Sequence, residues 1–183
     1  HHHRSHLGYK LPMGDLYLPE GVKILPDWMR EAGFFTCNAK KFPTNAVRGT
    51  GKIDWNFTYR GLPFDSDNWE DLKSHQPFYA QVNFKETHTP YRPSKHPIDT
   101  ASIVLPPYIP DHPLMRKKKA EYFGDIQNLD EKIGAVLKQL EDDGLAQNTV
   151  VIFIGDNGRE EIPRGKSSNY EGGYHVPLIV RFP

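Results

Sequence analysis

Cysteine is what this sequence has least of. Cys37 is the only one in 183 residues, so no intrachain disulfide is available and no cysteine-based zinc site can be assembled. A charge excess of either sign is also missing, because 23 Lys and Arg balance 23 Asp and Glu. That balance argues against broad binding to nucleic acid or to an anionic membrane, and any anion site must be local. No window reaches the roughly 18 apolar residues of a membrane span, and no signal peptide is visible. Hydrophobic residues are scarce at 37%, below the usual share for a globular domain, so a core must lean on the 12% of aromatics. The length suits one domain or part of a larger one. The chain does not begin with Met, and it ends on the strand-like "VPLIVRFP". We read it as a stretch of a longer protein with both ends missing. The opening "HHHRSH" has only three contiguous histidines, which argues against a purification tag, and adjacent histidines do not all face one ion.

What is present is an alternation of helical and strand-like segments. Val22, Leu25, Trp28 and Met29 fall on one helical face that Gly33 terminates, and "FFTCNA" then reads as a strand. Residues 39–76 are polar and turn-rich, a length that in an unstructured connection points to function or disorder. "PFYAQVNF" (77–84) is the next strand, followed by "KETHTPYRPSKHP", whose prolines forbid regular structure. After a second proline-rich passage, the longest helix is predicted to be capped by Asp111, with Pro113 near its first turn. Phe123, Ile126, Leu129, Ile133, Val136, Leu137 and Leu140 recur along it, and Gly144 ends it. "NTVVIFI" and "HVPLIVRFP" are the last strands. This order implies an α/β fold with helices on the faces of a sheet. The unbroken apolar run Val150–Ile154 suits a central strand buried on both sides. In such sheets ligands bind beyond the carboxyl ends of strands. Asp156 and Asn157 lie just past one such end and His88 past another.

These residues have a chemistry in common. Asp156 and Asn157 carry hard oxygen donors suited to Ca²⁺ or Mg²⁺, although two are too few for a cation wanting six, and Asp-Asn-Gly is also a favoured turn sequence. Lys166 in "RGKSSNYEGG" can bind an anion as a point charge, with glycines nearby letting the backbone approach a ligand; an exposed loop lysine is the plainer reading. Lys52 and Asp54 in "GTGKIDWNF" could hold an anion and relay a proton, or sit on a surface hairpin. His88 can serve as a general acid or an anion donor, or be a satisfied loop histidine. Cys37, inside a strand, reads as an inert packing residue. "RKKK" (116–119) reads as a solvated helix face whose charge could draw in a polyanion, and Asn56-Phe57-Thr58 fits the glycosylation pattern by composition only.

Taken in order, "GTGKIDWNF", "FYAQVNFKETHTPY", "GAVLKQLEDDGLAQNTVVIFIGDNG" and "RGKSSNYEGGYHVPLIVRFP" resemble formylglycine-dependent sulfatases of bacterial type, within the alkaline phosphatase superfamily. The resemblance is densest from Tyr122 to Pro183. It implies a predominantly parallel central sheet flanked by helices. Residues 1–183 would form the central part of the family's N-terminal catalytic domain, without the nucleophile segment and the C-terminal subdomain. It assigns Asp156 and Asn157 to a divalent cation, usually Ca²⁺, and Lys166 and His88 to the sulfate group. The family's Gly-Lys-x-His motif carries over to Gly51 and Lys52, with Asp54 standing where histidine is more common; Lys41 competes with Lys52 because its distance from Gly33 also fits.

The formylglycine motif, Cys/Ser-x-Pro-Ser/Ala-Arg, is absent, and "CNAKK" at Cys37 does not match it. The motif and the paired aspartates that complete the metal site are expected upstream of His1. The isolated chain is therefore expected to be inactive and to bind Ca²⁺ weakly. The implied substrate is a sulfated small molecule or polysaccharide, and the implied location periplasmic or secreted. Two alternatives stand beside this reading: a phosphodiesterase or phosphonate hydrolase on the same scaffold, and a non-catalytic binder of sulfated glycans.

Overall fold

The computed structural model describes residues 17–45, 47–53, 55 and 57–183. The chain divides into two compact units, His1–Val136 and Leu137–Pro183.

In the first unit, α1 (Leu25–Glu31) starts with a proline in its first turn and with the Asp27 carboxylate accepting from the Ile24 amide at 3.1 Å. It stops where the sequence says it should, at Gly33, whose φ of 85° lets the chain turn into β1 (Phe35–Lys41). β1 is the centre of a three-stranded parallel sheet of order β2-β1-β3, with β2 at Ser66–Asn68 and β3 at Phe78–Gln81. Thr36, Cys37, Asn38 and Ala39 are all buried, as befits a strand covered on both faces. Phe64, Trp69 and Leu72 are buried in the same unit, and Phe42 stacks on Trp69 at 5.0 Å between ring centres. Burial pushes the Cys37 thiol up, with help from Asp71 and Asp67, to a pKa of about 12, in keeping with a packing role.

The polar stretch 39–76 is more ordered than its composition suggests. It contains β2 and a 3₁₀ turn, Trp69–Lys73. A three-residue strand of sequence Ser-Asp-Asn has no apolar alternation to announce it. Its approach is fixed instead by Asp65, whose carboxylate accepts from the Thr36 amide (2.7 Å), the Thr36 hydroxyl (2.8 Å) and Arg30 Nε (2.8 Å). Desolvation pushes the Asp65 carboxyl up, but those three donors outweigh it and hold it below the usual carboxylate range.

α2 runs from Pro113 to Asp142. Asp111 does not cap it: its carboxylate takes Arg116 Nε and Nη2 at 2.5 and 2.8 Å, while His112 Nδ1 accepts from the Leu114 amide at 3.2 Å. A guanidinium fork outcompetes a backbone N–H for the same carboxylate. The apolar stripe is only partly covered. Leu140 is buried, Ile126 is 39% exposed, and the most buried residue in the helix is a carboxylate, Asp125. Gly144, at φ 70°, follows the helix end.

The second unit continues through a 3₁₀ turn (Ala146–Asn148), β4 (Val151–Ile154), the short α3 (Glu171–Tyr174) and β5 (Leu178–Arg181). β4 pairs with β5 antiparallel, Ile152 opposite Val180. The expectation that this strand is buried on both sides is not met: Ile152 and Ile154 are 62% and 60% exposed. Ile152 and Ile154 alternate with Val151 and Phe153 and share one face of the β4–β5 pair, which the described residues leave open.

Candidate functional site

Lys52 follows β1 on a loop that glycine makes possible. A Cβ on Gly49 would stand 2.0 Å from the Ala39 carbonyl oxygen, and one on Gly51 would meet the Lys40 side chain at 2.2 Å. The loop can therefore lie directly against the end of β1. It is tied across to β3 by Asn83, whose carbonyl accepts from the Thr50 amide at 2.8 Å. The Asn83 side-chain amide donates to Asn38 Oδ1 at 3.0 Å and to the Lys52 carbonyl at 3.3 Å, and its Oδ1 accepts from Gln81 at 3.2 Å. Asn38 and Gln81 are register partners on β1 and β3, so the clasp sits on the carboxyl edge of the parallel sheet. The Lys52 side chain is exposed there.

His88 follows β3 on the next turn, its amide donating to the Lys85 carbonyl at 2.8 Å. The ring is exposed, and Nδ1 lies 2.7 Å from the Thr89 carbonyl. A carbonyl partner only accepts, so Nδ1 carries a proton. The neutral ring then has its lone pair on Nε2, and only the imidazolium can donate from that nitrogen. Lys52 and His88 thus issue from one sheet edge. Lys41 faces the other flank of β1, where it is in register with Asn68 on β2 and its ammonium bonds Asp67 at 2.8 Å. That hydrogen bond holds the Asp67 carboxyl below its ordinary range. Asp54, the "HHHRSH" opening and Asn56 lie outside the described residues.

In the second unit, Asp156 and Asn157 leave β4 through Gly155, whose amide donates to the Pro177 carbonyl at 3.1 Å. Both side chains are exposed. Asn157 Nδ2 donates to the Gly158 carbonyl at 2.8 Å, which turns its amide nitrogen into its own loop. Asp156 and Asn157 offer only oxygen acceptors to a cation, the donor type that suits a hard divalent ion. Among the described residues no group of three or more His, Cys, Asp and Glu gathers as a complete metal site.

Lys166 stands on the loop that follows. Its glycines bring the backbone close to itself. A Cβ on Gly158 would be 1.7 Å from the Gly172 oxygen, on Gly165 1.9 Å from the Arg159 oxygen, and on Gly173 2.0 Å from the Ser168 oxygen. Gly158 donates to the Gly173 carbonyl at 2.8 Å and closes the loop, and the Lys166 amide donates to the Arg159 carbonyl at 3.2 Å. Ser167, with φ at 67°, holds left-handed backbone beside Lys166. The Arg164 guanidinium lies over the Tyr170 ring at 4.3 Å. Asp156, Asn157 and Lys166 are therefore carried by one closed loop with its lysine exposed.

Asn83 is the residue that sequence reading passed over. Its only signal was a pair of polar amides, Gln81 and Asn83, just where an apolar strand ends.

A sequence profile of the sulfatase family matches residues 2–183, and the chain belongs to that family. It is 28% identical to an ulvan-active sulfatase of Formosa agariphila, over 94% of this chain and 34% of that protein. It is 31% identical to an endo-4-O-sulfatase of Bacteroides thetaiotaomicron over 63% of this chain and 25% of the relative. A human N-sulphoglucosamine sulphohydrolase shares 33% identity over 46% and 17%. The chain spans about a third or less of the length of these relatives.

Proposed function

We propose that the full-length protein is a sulfuric ester hydrolase acting on a sulfated carbohydrate, and that Lys52, His88 and Lys166 hold the sulfate group. The match to the sulfatase family across residues 2–183 carries this reading. It is supported by the exposure of both lysines and the histidine on loops beyond strand ends.

Cleavage of a sulfate ester builds negative charge on the sulfuryl oxygens and on the leaving oxygen. Lys52 and Lys166 are point charges on loops braced before substrate arrives, so they stabilise that charge without reorganising. His88 as the imidazolium keeps Nδ1 on the Thr89 carbonyl and donates from Nε2, to a sulfate oxygen or to the departing alkoxide. Asp54 occupies the position where the family more often has histidine, and we assign it a proton-carrying role beside Lys52. Asp156 and Asn157 would supply two oxygen ligands to a divalent cation, Ca²⁺ or Mg²⁺; the cation would neutralise charge on the bound sulfate. The reactive formylglycine of this family is proposed to come from outside this chain. The substrate class follows from the relatives, one of which is ulvan-active. No helix among the described residues is long and apolar enough to cross a membrane. We propose an exported enzyme that meets its polysaccharide outside the cytoplasm.

The test is release of inorganic sulfate from sulfated polysaccharides, ulvan among them, by the full-length protein, set beside hydrolysis of an aryl sulfate and of a bis-aryl phosphodiester. Sulfate release that exceeds phosphodiester cleavage, and that Lys166→Met abolishes, is the expected result. Faster phosphodiester cleavage would reassign the chain to phosphoryl chemistry, and binding of the glycan without turnover would make it a lectin-like relative. The isolated 183-residue chain should release no sulfate and should bind Ca²⁺ more weakly than micromolar by calorimetry.

A further inference from the structure

The segment that carries His88 is stitched to α2 by a row of polar side chains that no sequence motif announces. Glu86, two residues before His88, has its side chain 1% exposed. Its Oε1 takes Lys132 Nζ from α2 at 2.5 Å and lies 3.5 Å from Arg92 Nη1, so the two ends of the segment 86–92 meet at one carboxylate. The row continues along the helix. The Arg92 amide donates to the buried Asp125 at 3.2 Å, and Asn128 Nδ2 donates to the Arg92 and Pro93 carbonyls at 3.3 and 3.2 Å. Ser94 bonds Gln127 at 2.7 Å and Lys95 pairs with Glu131 at 2.8 Å. Gly124 makes the close approach possible, since a Cβ there would stand 3.0 Å from Ser94 Cβ.

A carboxylate this buried is costly unless its partners compensate. Here the second oxygen, Oε2, has no hydrogen-bond partner among the described residues, and Arg92 Nη1 is likewise buried without a hydrogen bond. Oil-like packing would serve stability as well. What the ion triad adds is a fixed closure point for a short loop, and the functional side chain on that loop is His88.

We propose that Glu86 is a positioning residue for His88: clamped by Lys132 and Arg92, it closes the 86–92 segment and fixes the imidazole at the carboxyl edge of the sheet. The proposal rests on the reading that His88 contacts the sulfate. Lys132 and Arg92 act with Glu86 and touch no substrate.

The test uses the full-length protein and para-nitrophenyl sulfate, with thermal unfolding as a check on folding. Glu86→Gln keeps the shape and removes the charge, and is expected to lower kcat/KM by about 10–100-fold, the scale on which small misplacements act. Lys132→Met, which keeps the stem and strands the carboxylate, should match it. Glu86→Asp, which keeps the charge but retracts it by one methylene, should recover part of the loss and serves if Glu86→Gln does not fold. The decisive comparison is a double-mutant cycle with His88→Ala. If Glu86 acts through His88, Glu86→Gln changes kcat/KM by less than about two-fold in the His88→Ala background. A loss of the same size in both backgrounds would make the triad a general fold support and overturn the proposal. So would a folded Glu86→Gln protein with unchanged kcat/KM beside an impaired His88→Ala. A His88→Ala protein with full activity would remove the sulfate-contact reading itself, a result distinct from the other two.

Discussion

Lys52 and Lys166 both stand exposed on glycine-flanked loops, one beyond β1 and the other beyond β4, but the two loops are held differently. The Lys52 loop has one close peptide contact, Gly49 against the Ala39 carbonyl, and one backbone bond, from the Thr50 amide to the Asn83 carbonyl, but side chains add the clasp: the Asn83 side-chain amide reaches Asn38, Gln81 and the Lys52 carbonyl. The Lys166 loop is fastened by its own backbone. Peptide packs on peptide at Gly158, Gly165 and Gly173, and the Gly158 amide closes the ring on the Gly173 carbonyl. The first device can be weakened one hydrogen bond at a time. The second tolerates no added atom. Loss of a side-chain clasp should therefore weaken a loop gradually, and an added atom at a peptide contact should disrupt it at once.

The largest effect is expected at Gly158. An alanine there would put its Cβ 1.7 Å from the Gly172 oxygen, an overlap that only backbone movement relieves. We expect Gly158→Ala to cost about 3 kcal/mol, the upper part of the range for overpacking, and to lower kcat/KM of the full-length protein about 100-fold. Gly134→Ala is the control. Gly134 lies in α2 with nothing within 4 Å of a built Cβ, so alanine there should stabilise by about 0.5–1 kcal/mol through helix propensity. Thermal unfolding of the pair, measured together, separates loop packing from the general effect of losing a glycine. Equal stability of both variants would break the comparison.

Asn83→Ala should come next. It removes the amide that bridges β1, β3 and the Lys52 loop, at about 1–2 kcal/mol for partly buried hydrogen bonds left unmade. Activity should fall about ten-fold, an order of magnitude less than at Gly158. Loss on the Gly158 scale would mean that the Lys52 loop is as brittle as the other.

Acid should act on the side-chain-braced unit. Asp65 and Glu86 are both held below the ordinary carboxylate range against the upward push of burial, Asp65 by Thr36 and Arg30, and Glu86 by Lys132, a backbone amide and the Arg92 charge. A carboxyl whose folded pKa is depressed contributes its full stability above the unfolded value, near 4, and loses it as pH falls through the folded one. Hydrogen exchange at β1 should therefore accelerate as pH drops below about 4, after correction for the intrinsic rate, and Asp65→Asn should remove part of that acid dependence. Protection of β1 that stays constant to pH 3 would refute the assignment.

How much of this was legible beforehand follows the same division. Backbone punctuation could be read: Gly33 and Gly144 end helices where expected, and Asp156 and Asn157 do lie past the end of a strand. Side-chain clasps could not. Asp65 fixing β2, Arg116 drawing Asp111 away from the helix cap, and Asn83 binding the Lys52 loop all join residues far apart or in irregular segments, where no period exists to betray them. The exposed face of β4 was misread for another reason. An unbroken apolar run signals a strand that is buried somewhere, and Ile152 and Ile154 have no covering element among the described residues of a chain that spans a third of its relatives' length.

The smallest effect should fall on Lys41, and it is the one that sharpens the assignment of the sulfate lysine. Lys41 is 69% exposed and pairs with Asp67 on the β2 flank, away from the edge where Asn83 holds Lys52. An exposed pair of this kind contributes between about 0 and 1 kcal/mol, so Lys41→Met should leave unfolding nearly unchanged and kcat/KM within about two-fold of the parent protein. Under the proposed assignment Lys52→Met removes a charge that faces the sulfate, and such electrostatic contacts are worth about 100-fold or more in rate. The two substitutions are chemically identical, one at the end of β1 and one on the loop that follows it, so their ratio reports position alone. A ratio near one would mean that neither lysine faces the sulfate, and a ratio inverted in favour of Lys41 would move the anion site across β1 to the Asp67 side.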